Sequence, residues 1–101
     1  MARKGSIEIN EKRKRLAQKY ASKRAELKAI AADRNAAPEE RFKATLKLAE
    51  MPRSGAKIRV RNRCMLTGRS RGNYRKFGIS RIMLREMGSL GLIPGLKKAS
   101  W

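Results

Sequence analysis

Between Met51 and Trp101 the chain carries 13 lysines and arginines and a single acid, Glu86. No feature limits its fold more. Like charges repel on compaction and gain nothing by burial, so a domain built only to enclose a core would not concentrate them. A surface that must lie along phosphates would. The first 50 residues are also basic, but their 14 cations are diluted by 7 acids. Leu, Ile, Val and Phe total 19 of 101 residues at a net charge of +19. So little apolar material at such charge is typical of chains that do not fold alone. The isolated protein is therefore expected to be partly disordered and to order on a polyanion, which supplies both counter-charge and missing surface.

At this length one small domain is expected, divided into a basic helical extension over residues 1–52 and a nucleic-acid-binding segment over 53–101. Residues 1–10 read as a basic arm. From Glu11 to about Ala32, Leu16, Tyr20, Leu27 and Ile30 mark a narrow apolar stripe among lysines, arginines and alanines, which predicts a helix lying against something larger. Asp33-Arg34-Asn35 breaks it. Pro38 suits the first position of a second helix, Glu39 and Glu40 suit its positive N-terminal end, and Pro52 stops it near Met51. Phe42, Leu46 and Ala49 are its expected apolar face. Both stripes have a second possible use, docking onto a neighbouring protein.

Lys57 to Arg61 alternates charged and apolar residues and reads as a short strand or, preferably, an extended basic strip. Thr67-Gly68 and Arg71-Gly72-Asn73 carry turn chemistry. Ser80 can cap a helix from Arg81 to about Leu90, with Ile79, Ile82, Met83, Met87 and Leu90 on one side. Glu86 is expected to pair with a nearby arginine. The fold class is mainly α with extended basic segments.

Function follows from charge and from absences. The chain has no histidine, and seven of its eight acids lie in the N-terminal half. General acid–base catalysis has no candidate pair, and the lone Cys64 lacks a base to activate it, so an enzyme is not expected. A single cysteine excludes an internal disulfide and suits a reducing compartment. No apolar run approaches a signal-peptide core or a membrane span, so a soluble mature protein starting near Met1 is expected. The predicted nucleic-acid contacts are Arg59, Arg61, Arg63, Arg69, Arg71, Arg75, Lys76, Arg81 and Arg85, with Lys97 and Lys98 in the tail. Arginine suits phosphate because its planar fork gives two hydrogen bonds to one group. Tyr74 and Trp101 are included as aromatic rings able to stack on unpaired bases of the nucleic acid, although each has an alternative in covering apolar protein surface. Phe77 is assigned to the core and Cys64 to small-residue packing.

GRSRGNYRKFGISRIMLREM followed by GLIPGLKKASW resembles the C-terminal signature of the small-subunit ribosomal protein S-fourteen family. Members often carry Cys-x2-Cys-x12-Cys-x2-Cys here, which gathers four thiolates around zinc. Threaded from Cys64, that spacing falls on Thr67, Ser80 and Met83, so only the first ligand survives. The chain is thus similar to the zinc-free long form, and no cofactor is expected. The resemblance implies two N-terminal helices, a small zinc-ribbon-like turn and hairpin without metal, and a short C-terminal helix. It also implies binding to small-subunit (16S) ribosomal RNA, a place in the subunit head near the A site, and the proteins S-three, S-ten and S-nineteen as neighbours. The expected location is the ribosome of the cytoplasm or of an organelle. The rival readings are a DNA-packaging protein, which charge alone permits, and a membrane-active cationic protein, which needs a wide apolar helix face that is missing.

Overall fold

Two proline-bounded or alanine-rich stretches make the long helices, and glycine-bounded turns make the rest. The computed structural model describes residues 2–100. The elements run α1 (Lys4–Ala32), α2 (Pro38–Glu50), 3-10 turns at Arg53–Gly55 and Lys57–Arg59, β1 (Asn73–Tyr74), β2 (Ile79–Ser80) and α3 (Arg81–Ser89). The chain divides into two compact units, one of Glu8–Val60 and one of Met1–Ile7 with Arg61–Trp101.

In the helical unit, α1 draws on Ala, Leu, Lys, Arg, Glu and Gln, all good helix formers, with no proline to interrupt it. The helix begins at Lys4, seven residues before the expected start at Glu11. The supposed arm has only Gly5 against helix and otherwise compatible residues, so nothing prevents propagation. At the far end the Asn35 amide donates to Asp33 Oδ1 at 2.9 Å, an Asx turn that competes with further helix. Arg41 of α2 donates from Nε to the Ala31 carbonyl at 3.1 Å, covering one of the last orphan acceptors of α1.

α2 opens with Pro38 at its first turn and Glu39 and Glu40 beside it, as expected. Its buried side differs from the expected one. Ala44 is buried, with Arg41 and Leu48 half-buried at helical spacing, while Phe42 and Leu46 are 64% and 48% exposed. After Pro52 the chain returns along α1. Arg24 Nη2 donates to the Pro52 carbonyl at 2.9 Å, and a Cβ on buried Gly55 would stand 3.1 Å from Tyr20 Cδ2. Residues 57–59 form neither strand nor extended strip. The Arg59 and Val60 amides donate to the Ala56 and Lys57 carbonyls at 3.1 Å, local turn bonds that satisfy a backbone with no partner strand.

In the other unit, β1 and β2 pair antiparallel with Asn73 opposite Ser80 and Tyr74 opposite Ile79. Upstream, a tight turn over 64–69 is closed by Gly68 N–H to Cys64 O at 2.8 Å and by Cys64 N–H to Arg69 O at 2.9 Å. It docks on the hairpin through Met65 N–H to Gly78 O at 3.0 Å. Gly68 has φ +78°, and a Cβ there would lie 2.6 Å from Ile7 Cδ1, so both conformation and space require glycine. The Ser80 hydroxyl accepts the Met83 amide at 3.3 Å and caps α3 as expected. Leu92 N–H reaches Met87 O at 3.0 Å across Gly91, a left-handed stop for that helix. Cys64, Ile79 and Ser80 are buried, while Met83 and Met87 are half-buried. Ile82 and Leu90, expected on the same apolar side, are 41% and 73% exposed. So small a centre cannot cover a nine-residue helix.

Candidate nucleic-acid interface

The tight turn, the hairpin and the start of α3 together carry most of the predicted cationic side chains. Arg61, Arg69, Arg71, Arg75, Lys76, Arg81, Arg85, Lys97 and Lys98 are exposed, and Arg63 is half-buried. Arg59 is also exposed but belongs to the helical unit. Three arginines are held by carbonyls of the turn they decorate. Arg61 Nε donates to Ser70 O at 3.0 Å, Arg63 Nη1 to Gly68 O at 2.9 Å and Arg69 Nε to Arg71 O at 3.0 Å. Each bond fixes a guanidinium while leaving other donors of the same group for a ligand. Arg71, Arg75, Arg81 and Arg85 make no side-chain hydrogen bond or ion pair among the described residues. Arg81 lies over Gly72, whose Cβ would stand 3.4 Å from its Cδ and Nε.

Among the described residues none of these cations forms an ion pair with an acid. Among the described residues the ion pair is Lys14 with Glu11, at 3.0 Å on the exposed surface of α1. Glu86, expected to pair with arginine, makes no such contact. Its neighbours one helical turn away are Ile82, Met83, Ser89 and Leu90, so no arginine shares its face. The field of the unit is therefore uncompensated, and an approaching phosphate chain is attracted without competition.

The aromatics separate. Tyr74 is 49% exposed on the outer side of β1, while Phe77 is half-buried in the hairpin turn with the Lys76 ammonium 5.7 Å from its ring centroid. Trp101 lies outside the described residues.

Sequence reasoning named Asn73 only as a turn residue. Its Nδ2 donates to Asn62 O at 3.0 Å and to Arg69 O at 2.8 Å, tying the segment before Cys64 to the turn. An asparagine directly after Arg71-Gly72 was the available signal, since such residues bond nearby backbone.

Cys64, Thr67, Ser80 and Met83, the four positions matching a metal-ligand spacing, are brought together. Burial of the Cys64 sulfur raises its pKa, but the Thr67 hydroxyl and the backbone amides of Thr67, Ser80 and Leu66 outweigh this, lowering it to about 6. Cys64 is buried, as a packing role requires, and these donors favour its thiolate form. One thiolate, two hydroxyls and a thioether do not fit a structural zinc, which takes four thiolate or imidazole ligands. Catalysis through Cys64 is equally unsupported, since no histidine exists in the chain.

With this geometry in place, comparison with known proteins is decisive. The family described as "Ribosomal protein S14p/S29e" matches residues 47–100, more than half of the chain. The chain belongs to this family. It is 62% identical to small ribosomal subunit protein uS14 of Xanthobacter autotrophicus over 101 residues, all of both proteins. The same full-length match holds at 63% identity for that protein of a Bradyrhizobium species and at 62% for that of Hyphomonas neptunium. As in the sequence reading, no helix among the described residues is long and apolar enough to cross a membrane. Within this ribosomal protein family the matched segment takes in the turn, hairpin and α3, together with the end of α2.

Proposed function

We propose that the protein is a structural component of the small ribosomal subunit and binds small-subunit ribosomal RNA. The observation that carries this reading is the array of exposed arginines around the hairpin, several making no side-chain hydrogen bond or ion pair among the described residues, in a unit holding one acid. Arg61, Arg63, Arg69, Arg71, Arg75, Lys76, Arg81 and Arg85 neutralise converging phosphates, with Arg59, Lys97 and Lys98 extending the contact. Tyr74 stacks on an unpaired base; the same role is assigned to Trp101. Residues 1–52 serve as a basic helical extension and 53–101 as the RNA-binding segment, ribbon-like around the Cys64 turn but without zinc.

On this reading the protein supports assembly and conformation of the subunit head near the A site, beside S-three, S-ten and S-nineteen. Its place is the ribosome, cytoplasmic or organellar. The exposed Phe42 and Leu46 suit a protein neighbour, because apolar side chains gain little from phosphate. The protein acts by positioning RNA and catalyses no reaction. The test is co-sedimentation with the small subunit in high salt, with duplex DNA and small-subunit ribosomal RNA as competitors. Retention on the subunit and preference for the ribosomal RNA are expected; equal competition would favour DNA packaging instead.

A further inference from the structure

A cavity of about 360 Å³ opens in the hairpin unit between the tight turn and the start of α3. Its walls include Arg63, Arg69, Thr67, Ser70, Ser80 and Ile82, and no acid lines it. Both arginines are anchored, Arg63 by Gly68 O and Arg69 by Arg71 O, so their heads are held before any ligand arrives. Neither has its hydrogen-bonding capacity filled. Arg63 Nε is buried without a partner, a state that costs free energy unless compensated.

The hydroxyls divide. Thr67 is committed to the Cys64 sulfur, and Ser80 Oγ accepts the Met83 amide. The Ser70 hydroxyl has no partner among the described residues. Two fixed guanidinium groups and the Ser70 hydroxyl, lining one cavity without an acid, match a tetrahedral oxyanion better than any cation or neutral group. A carboxylate from a neighbouring protein has the same charge, but uncommitted Arg71, Arg75 and Arg81 nearby would then face nothing. A chain of regularly spaced anions uses all of them.

We propose that this cavity is a receptor for a single phosphodiester group of the bound RNA, seated between Arg63 and Arg69 with a hydroxyl contact from Ser70. The proposal rests on the RNA-binding reading and adds one discrete, built subsite to it. The remaining arginines then contact flanking phosphates as exposed point contacts.

The test is iodine cleavage of phosphorothioate-containing small-subunit ribosomal RNA bound by the full-length chain. Two variants probe the cavity by different chemistry. Arg69→Met removes a wall charge, and Ser70→Leu keeps every charge but obstructs the space. Both are expected to expose the same one phosphate to the level of free RNA while the rest of the footprint persists. Arg69→Met should also lower the logarithmic salt slope by about 0.7–0.9, the value for one phosphate contact. An unchanged footprint in either variant, as a carboxylate-binding cavity would give, overturns the proposal and leaves RNA binding standing. So does loss spread over the whole footprint. A wild-type protein that protects no phosphate overturns both readings.

Discussion

The two units carry nearly equal numbers of cations and use them differently. Glu8–Val60 holds 15 lysines and arginines with 7 acids; Met1–Ile7 with Arg61–Trp101 holds 12 with one acid. In the helical unit the charges sit mostly on regular helices, where Lys14 meets Glu11. Arginines bond backbone carbonyls in both units, Arg24 and Arg41 in the helical one and Arg61, Arg63 and Arg69 in the hairpin one, where the backbone turns sharply. The difference teaches that cation density does not locate a phosphate-binding surface. On the proposed reading, exclusion of acids distinguishes the hairpin unit.

The comparison breaks most visibly if charge is removed from one unit at a time. Neutralising Arg69, Arg71, Arg75 and Lys76 together should weaken RNA binding by orders of magnitude at low salt and far less at high salt. The logarithmic salt slope should fall by about 3 for four lost contacts, and subunits should be deficient in this protein. Neutralising Lys12, Lys14, Lys19 and Lys23 removes the same formal charge from α1 and should have a much smaller effect. Equal losses in binding assays and subunit incorporation would mean that only bulk charge matters.

A second contrast concerns Cys64, because nothing in the helical unit resembles its ring of donors. An ordinary thiol titrates near 8.5, and this one is lowered to about 6 in the folded state. Below about 6 the group is protonated in both states and adds nothing. Above about 6 the unfolded chain binds a proton that the folded chain has released, until the unfolded thiol itself ionises, so stability rises with pH across this range. Denaturation of the wild type and Cys64→Ser across this range should show a gap that opens with pH. A gap independent of pH would remove the thiolate from the account.

Glycine substitutions sharpen the backbone side of the comparison. Gly68→Ala forces a left-handed residue to carry a Cβ against Ile7 and should destabilise the RNA-bound protein by about 1–3 kcal/mol. Gly55→Ala in the helical unit has no positive φ and meets a ring edge that can turn, so its cost should be smaller. Thermal melting of the complexes ranks the two, and a reversed order would contradict this view of the turn.

The smallest effects are expected at helix starts. Ser80→Ala removes the cap of α3 and should cost about 1 kcal/mol. Pro38→Ala, where the ring only presets the first turn of α2, should change stability by a few tenths. Denaturant midpoints of the two variants check this.

Composition, charge and a few breakers determined much of this protein. Pro38, Pro52 and Ser80 marked helix ends because each acts through its own backbone geometry or a bond within one turn. The imbalance of charge pointed to a polyanion without any fold. What the sequence left open depended on which distant segments meet. The burial of Ala44 rather than Phe42 and the close return of Gly55 past Tyr20 are of this kind. Clustering of Arg63, Arg69, Ser70 and Ser80 around one cavity, and of four donors around Cys64, likewise needed the turn to dock on the hairpin. Periodicity reports what one helix or strand presents along itself; it carries no term for the separation in space of residues 64 and 80.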